Sequence, residues 1–228
     1  MKPFGILGGW LVLVSSALAG PLPTCVNGTY ASYEALSSGC VLGNLLFTNF
    51  SDIEFSVAPA LILTPASITV MPDSFPLDEG LDFNASWIVT GTGELESTLT
   101  YEVQTLNSAA TLNGISLSFN GVGSGGGTST DTETYCIGSA LGTASCPTTN
   151  QTISVSNGSD GPFSQSYSPT SVLSISNQII VAANGGMATI SDVNDNYAQL
   201  SSIPEPASLA LLGGGLIGIG LLRNRRRR

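Results

Sequence analysis

Carboxylates and cysteines are the groups in this chain that could do chemistry, because no basic side chain stands between residues 20 and 222. The 228 residues include 6 Lys and Arg, 16 Asp and Glu, and no His. All basic residues lie at the termini, so residues 20–222 carry every acidic residue and a net charge of −16. Catalytic triads, proton shuttles and phosphoryl transfer normally need an imidazole, an amine or a guanidinium. The composition argues against these chemistries and against a nucleic-acid partner, which Lys and Arg would have to bind.

Paired carboxylates could still hydrolyse a glycoside, because a carboxylic acid and a carboxylate suffice for that reaction. Proximity in sequence groups five candidates: Asp78, Glu79, Asp82, Glu94 and Glu96. Carbohydrate enzymes generally surround such a pair with cationic or imidazole groups, and this part of the chain has neither. We therefore expect no enzyme activity, with a carboxylate-based glycoside hydrolase as the least favoured alternative.

A short Asx-rich stretch is the candidate metal site. Asp192, Asn194 and Asn196 have the alternating spacing of a calcium loop, and oxygen atoms are the ligands that Ca²⁺ prefers. The match is incomplete, because Tyr197 stands where the loop needs glycine and Ile203 where it needs glutamate. The sequence predicts either weak calcium binding or a plain Asx-rich turn before a final strand. It indicates no other cofactor.

Residues 1–19 have the pattern of a secretory signal peptide. Lys2 supplies the positive start, an apolar run follows, and Ala17 and Ala19 are the small residues that precede a cleavage site. We expect signal peptidase to cut there and the mature chain to begin near Gly20. An N-terminal membrane anchor is the alternative, and the short apolar run disfavours it.

Four cysteines in an exported chain predict disulfide bonds. Proximity in sequence favours Cys25 with Cys40 and Cys136 with Cys146 among the three possible pairings. A zinc site is the alternative, but the chain has no CxxC spacing and no histidine to support one.

Three unlike elements follow one another at the C-terminus. Pro204, Glu205 and Pro206 precede an apolar run over residues 207–222, and a basic cluster ends the chain: Arg223, Arg225, Arg226, Arg227 and Arg228. As a helix the run would extend about 24 Å against a hydrocarbon core of about 30 Å, which makes it a marginal transmembrane helix. The arginines should stay cytoplasmic, which places the body of the chain on the opposite side of the membrane.

This order of elements resembles the PEP-CTERM sorting signal of Gram-negative bacteria, over residues 203–228. The resemblance implies that an exosortase recognises the tail and cuts near the Pro-Glu-Pro triplet, after the tail has held the chain briefly in the membrane. It also implies a location at the cell surface or outside the cell, in contact with extracellular polysaccharide or biofilm. A permanent C-terminal anchor is the alternative.

The stretch between the two terminal signals, residues 20–202, is predicted to be one acidic β-sandwich ectodomain. Apolar residues alternate with polar ones through much of it, and further segments at Val172–Val181 and Met187–Val193 are rich in β-branched residues. Frequent Ser, Thr, Gly and Asn separate these segments, and no long window has helical periodicity. We expect an all-β fold, an antiparallel sandwich of roughly nine to eleven short strands.

These observations together predict a non-catalytic surface or matrix protein with a structural or interaction role. A carbohydrate- or protein-binding module is the alternative. Composition and pattern alone do not distinguish the two.

Overall fold

The computed structural model describes residues 21–138, 151–157 and 163–201. Within these ranges the chain contains ten strands, one α-helix and one 3₁₀ turn. In chain order they are β1 (Gly28–Thr29), α1 (Tyr30–Glu34), β2 (Cys40–Leu42), β3 (Leu45–Val57), the 3₁₀ turn (Pro65–Ser67), β4 (Thr69–Asp73), β5 (Asp78–Thr105), β6 (Ala110–Ser124), β7 (Gly127–Ile137), β8 (Gln151–Ser156), β9 (Phe163–Thr170) and β10 (Val172–Ser201).

The ten strands form one hydrogen-bonded sheet, and all the strand pairs in it are antiparallel. The predicted all-β class is therefore confirmed. The two longest strands, β5 and β10, pair from Val172 opposite Gln104 to Ala198 opposite Asp78. The segments Val172–Val181 and Met187–Val193, which the sequence presents as separate, are thus parts of a single strand.

Glycines bend β5 and β10 at the same level. Gly91 and Gly93 in β5 and Gly185 in β10 have positive φ angles of 79°, 139° and 84°, and Gly91 lies opposite Gly186. Only glycine adopts such angles freely. The two-residue turn Gly125–Gly126 between β6 and β7 lies at this level too, because Ser124 pairs with Met187 and Gly127 with Ala183.

The common bend folds the sheet over into two layers. The first half of β10 pairs with the second half of β5 and with β7, and this layer is completed by β2, β3 and β8. The second half of β10 pairs with the first half of β5 and with β6, and this layer is completed by β1, β4 and β9. We refer to them as the first layer and the second layer.

Alternate side chains from the two layers meet in a shared core. Trp87, which is fully buried, donates its indole hydrogen to Ser97 Oγ at 2.8 Å across the bend of β5. The core also contains an aromatic cluster whose neighbouring ring centroids lie 5.8–6.5 Å apart, made of Phe47, Phe50, Phe83, Tyr101 and Tyr197. Aromatic side chains bury large apolar areas and so contribute strongly to the stability of such a core.

A disulfide ties the N-terminal segment to β2. It joins Cys25 and Cys40, both buried, the pair that their proximity in sequence favours. Cys136 in β7 is also disulfide-bonded. Cys146 lies outside the described residues, so the predicted pairing of Cys136 with Cys146 stays a prediction.

Both terminal signals lie outside the described residues as well. These comprise the predicted signal peptide with Ala17 and Ala19, and the tail from residue 202 onward with its Pro-Glu-Pro triplet, apolar run and arginines. Within residues 21–138, 151–157 and 163–201, no helix has the length and apolar character needed to cross a membrane.

The shared bend predicts a difference between two neighbouring glycines of β10. A Cβ atom added at Gly186 would collide with the carbonyl oxygens of Ser124 and Gly125, whereas one added at Gly185 would meet open space. Gly185→Ala should therefore cost only the strain of its positive φ, about 1 kcal/mol of unfolding free energy. Gly186→Ala should cost about 3 kcal/mol, because backbone atoms must move apart. Urea denaturation of both variants checks this, and equal losses would contradict the described bend.

Candidate functional site

Three carboxyl groups lie in the core between the layers. Asp131 and Glu133 come from β7 in the first layer, and Asp195 comes from the second half of β10. All three side chains have no exposed surface. Acidic residues are almost never fully buried without a partner, so this group, which we call the acidic core cluster, is the most unusual chemical feature of the body.

Asp195 holds the two layers together through hydrogen bonds. Its carboxylate oxygens accept from Asn177 Nδ2 at 3.1 and 2.9 Å, and Oδ2 also accepts from the Tyr101 hydroxyl at 2.6 Å. The hydroxyl of Tyr101 lies 2.6 Å from that of Tyr197. Since Asn177 belongs to the first half of β10 and Asp195 to the second, one strand bonds to itself across the core.

Asp131 and Glu133 lack hydrogen bonds of the kind that Asp195 accepts. None of their four carboxyl oxygens has a hydrogen-bond partner of normal geometry. No Lys, Arg or His exists between residues 20 and 222 to form an ion pair with them. An isolated buried carboxylate is so costly that such a group takes up a proton instead. The acidic core cluster should therefore hold protons at pH values where an exposed carboxyl group is ionised.

Burial is the main cause that raises the pKa values of the cluster. It raises the pKa of Asp195 to about 7, while hydrogen bonds from Tyr101 and Asn177 oppose the rise. Burial also raises the pKa values of Asp131 and Glu133 well above their usual range, and the charge of Asp195 raises both further. The nearby Tyr197 hydroxyl opposes the rise at Glu133, although no hydrogen bond of normal geometry joins them.

The five carboxylates considered for glycoside hydrolysis are spread over the structure. Asp78, Glu79 and Asp82 lie in the half of β5 that belongs to the second layer, and Glu94 and Glu96 lie in the other half. Glu79 is buried and accepts a hydrogen bond from Gln199 Nε2. The described residues thus do not bring these five carboxylates together in one cleft.

The predicted calcium residues lie in a strand, so the expectation of a turn there is wrong. Asp192, Asn194 and Asn196 alternate along β10 with buried residues and therefore face outward from the second layer. Asp192 Oδ1 accepts from the backbone N–H of Asn120 at 3.0 Å, and Asn196 Nδ2 donates to Asn194 Oδ1 at 2.7 Å. In the described part of the chain, no three Asp, Glu or Cys side chains are grouped so as to hold a metal ion. Calcium binding stays a prediction.

Sequence reasoning missed the acidic core cluster. It did not consider Asp131 or Glu133 as buried carboxyl groups, and it treated Asp195 as a spacer within the Asx-rich stretch. A signal was present around β7, where Thr128, Thr130, Thr132 and Thr134 alternate with the residues that the structure buries. Extending that period-two pattern would have placed Asp131 and Glu133 on the same inward face as Tyr135.

A surface cleft of about 610 Å³ lies outside the core. It lies between residues 59–64, Ser67 and the stretch of β5 from Ser86 to Thr90. Its lining is aliphatic, with hydroxyl groups and no charged side chain. Such a cleft suits an uncharged ligand.

The acidic core cluster predicts that the body is more stable in mild acid than at neutral pH. A buried carboxyl group with a raised pKa stabilises the fold while it is protonated, and this contribution is lost as the pH rises through the folded-state pKa. For Asp195 that window runs from about pH 4 to about pH 7, and the loss is on the order of 4 kcal/mol. Glu54, half-buried, has a pKa raised to about 7 mainly by burial and adds to the same trend.

Asp195→Asn tests the origin of this trend. The variant should make the fall of unfolding free energy between pH 4 and 8 shallower than in the unsubstituted protein, as measured by urea denaturation. Asp131, Glu133 and Glu54 should account for the fall that remains. Asp192→Asn is the matched control, because it removes a carboxylate from the outward face of the same strand. A fall as steep in Asp195→Asn as in the unsubstituted protein, or a shallower fall in Asp192→Asn, would contradict the assignment.

Comparisons with known proteins locate one motif. Residues 202–227 match the family model of the PEP-CTERM protein-sorting motif. No curated protein sequence matches the chain. Among solved structures, TmCBM61 in complex with β-1,4-galactotriose is similar with a TM-score of 0.31 and 9% sequence identity, over 66% of this chain and 88% of that chain. A similarity this low assigns neither a fold nor a ligand. The chain therefore carries a PEP-CTERM protein-sorting motif at residues 202–227.

Proposed function

We propose that this chain is an exported, non-catalytic surface or extracellular-matrix protein, which an exosortase releases from its temporary membrane anchor. The sorting motif at residues 202–227 carries the proposal, because such a motif indicates export, C-terminal anchoring and later cleavage. The body, residues 20–202, would be the part that acts outside the inner membrane. Its role would be structural or that of an interaction partner.

The chemistry of the body supports a location outside the cytosol. The buried Cys25–Cys40 disulfide is of a kind that persists in oxidising compartments. Residues 20–202 have a formal net charge of −15, since Glu205 is the one acidic residue that lies in the tail, and no basic residue. This charge keeps chains apart in solution and favours divalent cations as counter-ions. An extracellular matrix of polysaccharide supplies such a setting.

A binding module is the second candidate, and the uncharged surface cleft favours it. Hydroxyl groups of Thr64, Ser67 and Ser86 stand beside aliphatic side chains there, a combination that a neutral sugar or another uncharged group could contact. A glycan array separates the two candidates. A matrix protein without a site gives no selective signal, whereas a binding module gives a signal that Ser86→Tyr, which fills the cleft, removes.

The sorting proposal predicts both ends of the mature protein. Mass spectrometry of protein recovered from the medium of cells with an exosortase should find a start near Gly20 and an end close to Pro204. Replacement of Pro204, Glu205 and Pro206 by alanine should leave the C-terminal arginines attached, while the start stays near Gly20. Unmodified chains that keep Arg228 as the dominant species in such cells would contradict the proposal.

Weak calcium binding on the outward face of β10 is a separate proposal. Millimolar Ca²⁺ should raise the melting temperature of the purified protein relative to EDTA, because a ligand that binds only the folded state stabilises it. Asp192→Asn should remove the difference, and Glu102→Gln, in the first layer, should keep it. Identical melting temperatures in Ca²⁺ and EDTA would exclude the site.

A further inference from the structure

Three turns gather where β10 ends at Ser201. The backbone N–H of Gln199 donates to the carbonyl oxygen of Leu77 at 3.0 Å, which fixes the β4–β5 turn beside β10. The side chain of Asn44, in the β2–β3 turn, donates to Gln199 Oε1 at 3.4 Å. The backbone N–H of Leu106, in the β5–β6 turn, donates to the carbonyl oxygen of Asn44 at 2.9 Å. This end of the body is thus built around the last residues of β10.

Four large apolar side chains are exposed at this end. Phe75 is 71% exposed, Leu77 52%, Leu106 47% and Leu200 49%. We call these residues the exit rim, because the chain leaves the described structure at Ser201 beside them. Exposed apolar residues grouped at one end of a protein commonly mark a surface that contacts another molecule or a membrane.

Exposure alone does not identify the partner, since the opposite, bent end also carries exposed apolar residues. Phe55, Leu61 and Ile88 are 49%, 85% and 50% exposed there, and nothing in the structure shows what covers them. The exit rim differs in one respect, which is the sequence that follows it. The apolar run begins at Ala207, close behind Ser201.

The length of that connection places the exit rim near the membrane. An extended chain from Ser201 to Ala207 reaches at most about 20 Å, at about 3.5 Å per residue. The polar headgroup region on one side of a bilayer takes up about 6 Å of this distance. Because the run is shorter than the hydrocarbon core is thick, its first residues must also be drawn toward the bilayer, which shortens the reach further.

We infer that the exit rim rests on the lipid surface while the C-terminal tail anchors the chain, an inference that depends on the anchoring in the proposed function. Phe75, Leu77, Leu106 and Leu200 would enter the interfacial region, where aromatic and aliphatic side chains are stabilised. Asp73 and Asp78 flank the turn that carries Phe75, so the favoured surface is zwitterionic rather than anionic lipid. Docking in this way orients the body and holds the Pro-Glu-Pro triplet at the membrane surface.

Tryptophan quenching tests this contact in the full chain. The signal-processed protein, with its C-terminal tail, is reconstituted into phosphatidylcholine vesicles whose acyl chains carry bromine, which quenches nearby tryptophan. Once the signal peptide is removed, the remaining native tryptophan is Trp87, which is fully buried and gives the background. Phe75→Trp places a probe on the exit rim, and Leu61→Trp is the matched control at the opposite end.

The inference expects quenching of Phe75→Trp to exceed that of Leu61→Trp several-fold. The protein should float together with the vesicles in a density gradient. If it does, and the two probes are quenched equally or neither is quenched, the docking is overturned and the anchoring stays intact. Failure of the chain to float with the vesicles would overturn the anchoring and the docking together. Absence of quenching combined with a processing defect of Phe75→Ser in cells would assign the exit rim to a protein partner and overturn the lipid contact.

Discussion

The antiparallel pairing of β5 with β10 through a shared glycine bend is the constraint on which the rest of the structure depends. Each strand contributes one half to each layer, so the two layers cannot separate without breaking the longest ladder in the body. The bend also brings Asn177 and Asp195, both in β10, into hydrogen-bond contact across the core. The packing of the aromatic cluster and the acidic core cluster follows from that single fold in the sheet.

The bent sheet also determines the protonation state that the buried carboxyl groups favour. A chain without basic residues between 20 and 222 cannot form ion pairs inside its body, yet β7 and β10 turn Asp131, Glu133 and Asp195 inward. Burial then favours the protonated carboxyl groups, which can donate hydrogen bonds that carboxylates cannot. The stability of the core therefore depends on pH.

Local sequence pattern predicted the fold class but not the connections that matter most. Period-two alternation predicted an all-β body of roughly nine to eleven strands, and ten are found in the described residues. The sequence pattern presents the segments Val172–Val181 and Met187–Val193 as separate, whereas the structure joins them in one strand that bends at Gly185 and Gly186. The burial of Asp195 was hidden since its neighbours Asn194 and Asn196 suggested a loop. Which strand segments face each other across the core depends on pairings between distant residues, and a short stretch of sequence does not contain that information.

The position at which β10 ends explains how sorting and folding can be independent. Its last paired residue, Ser201 opposite Ala110, immediately precedes the sorting motif at residues 202–227. Cleavage close to Pro204 would therefore remove no strand, no described hydrogen bond and neither cysteine of the Cys25–Cys40 disulfide. The described sheet is complete at Ser201, before the motif begins, so the proposed removal of the tail would leave every described strand pairing in place.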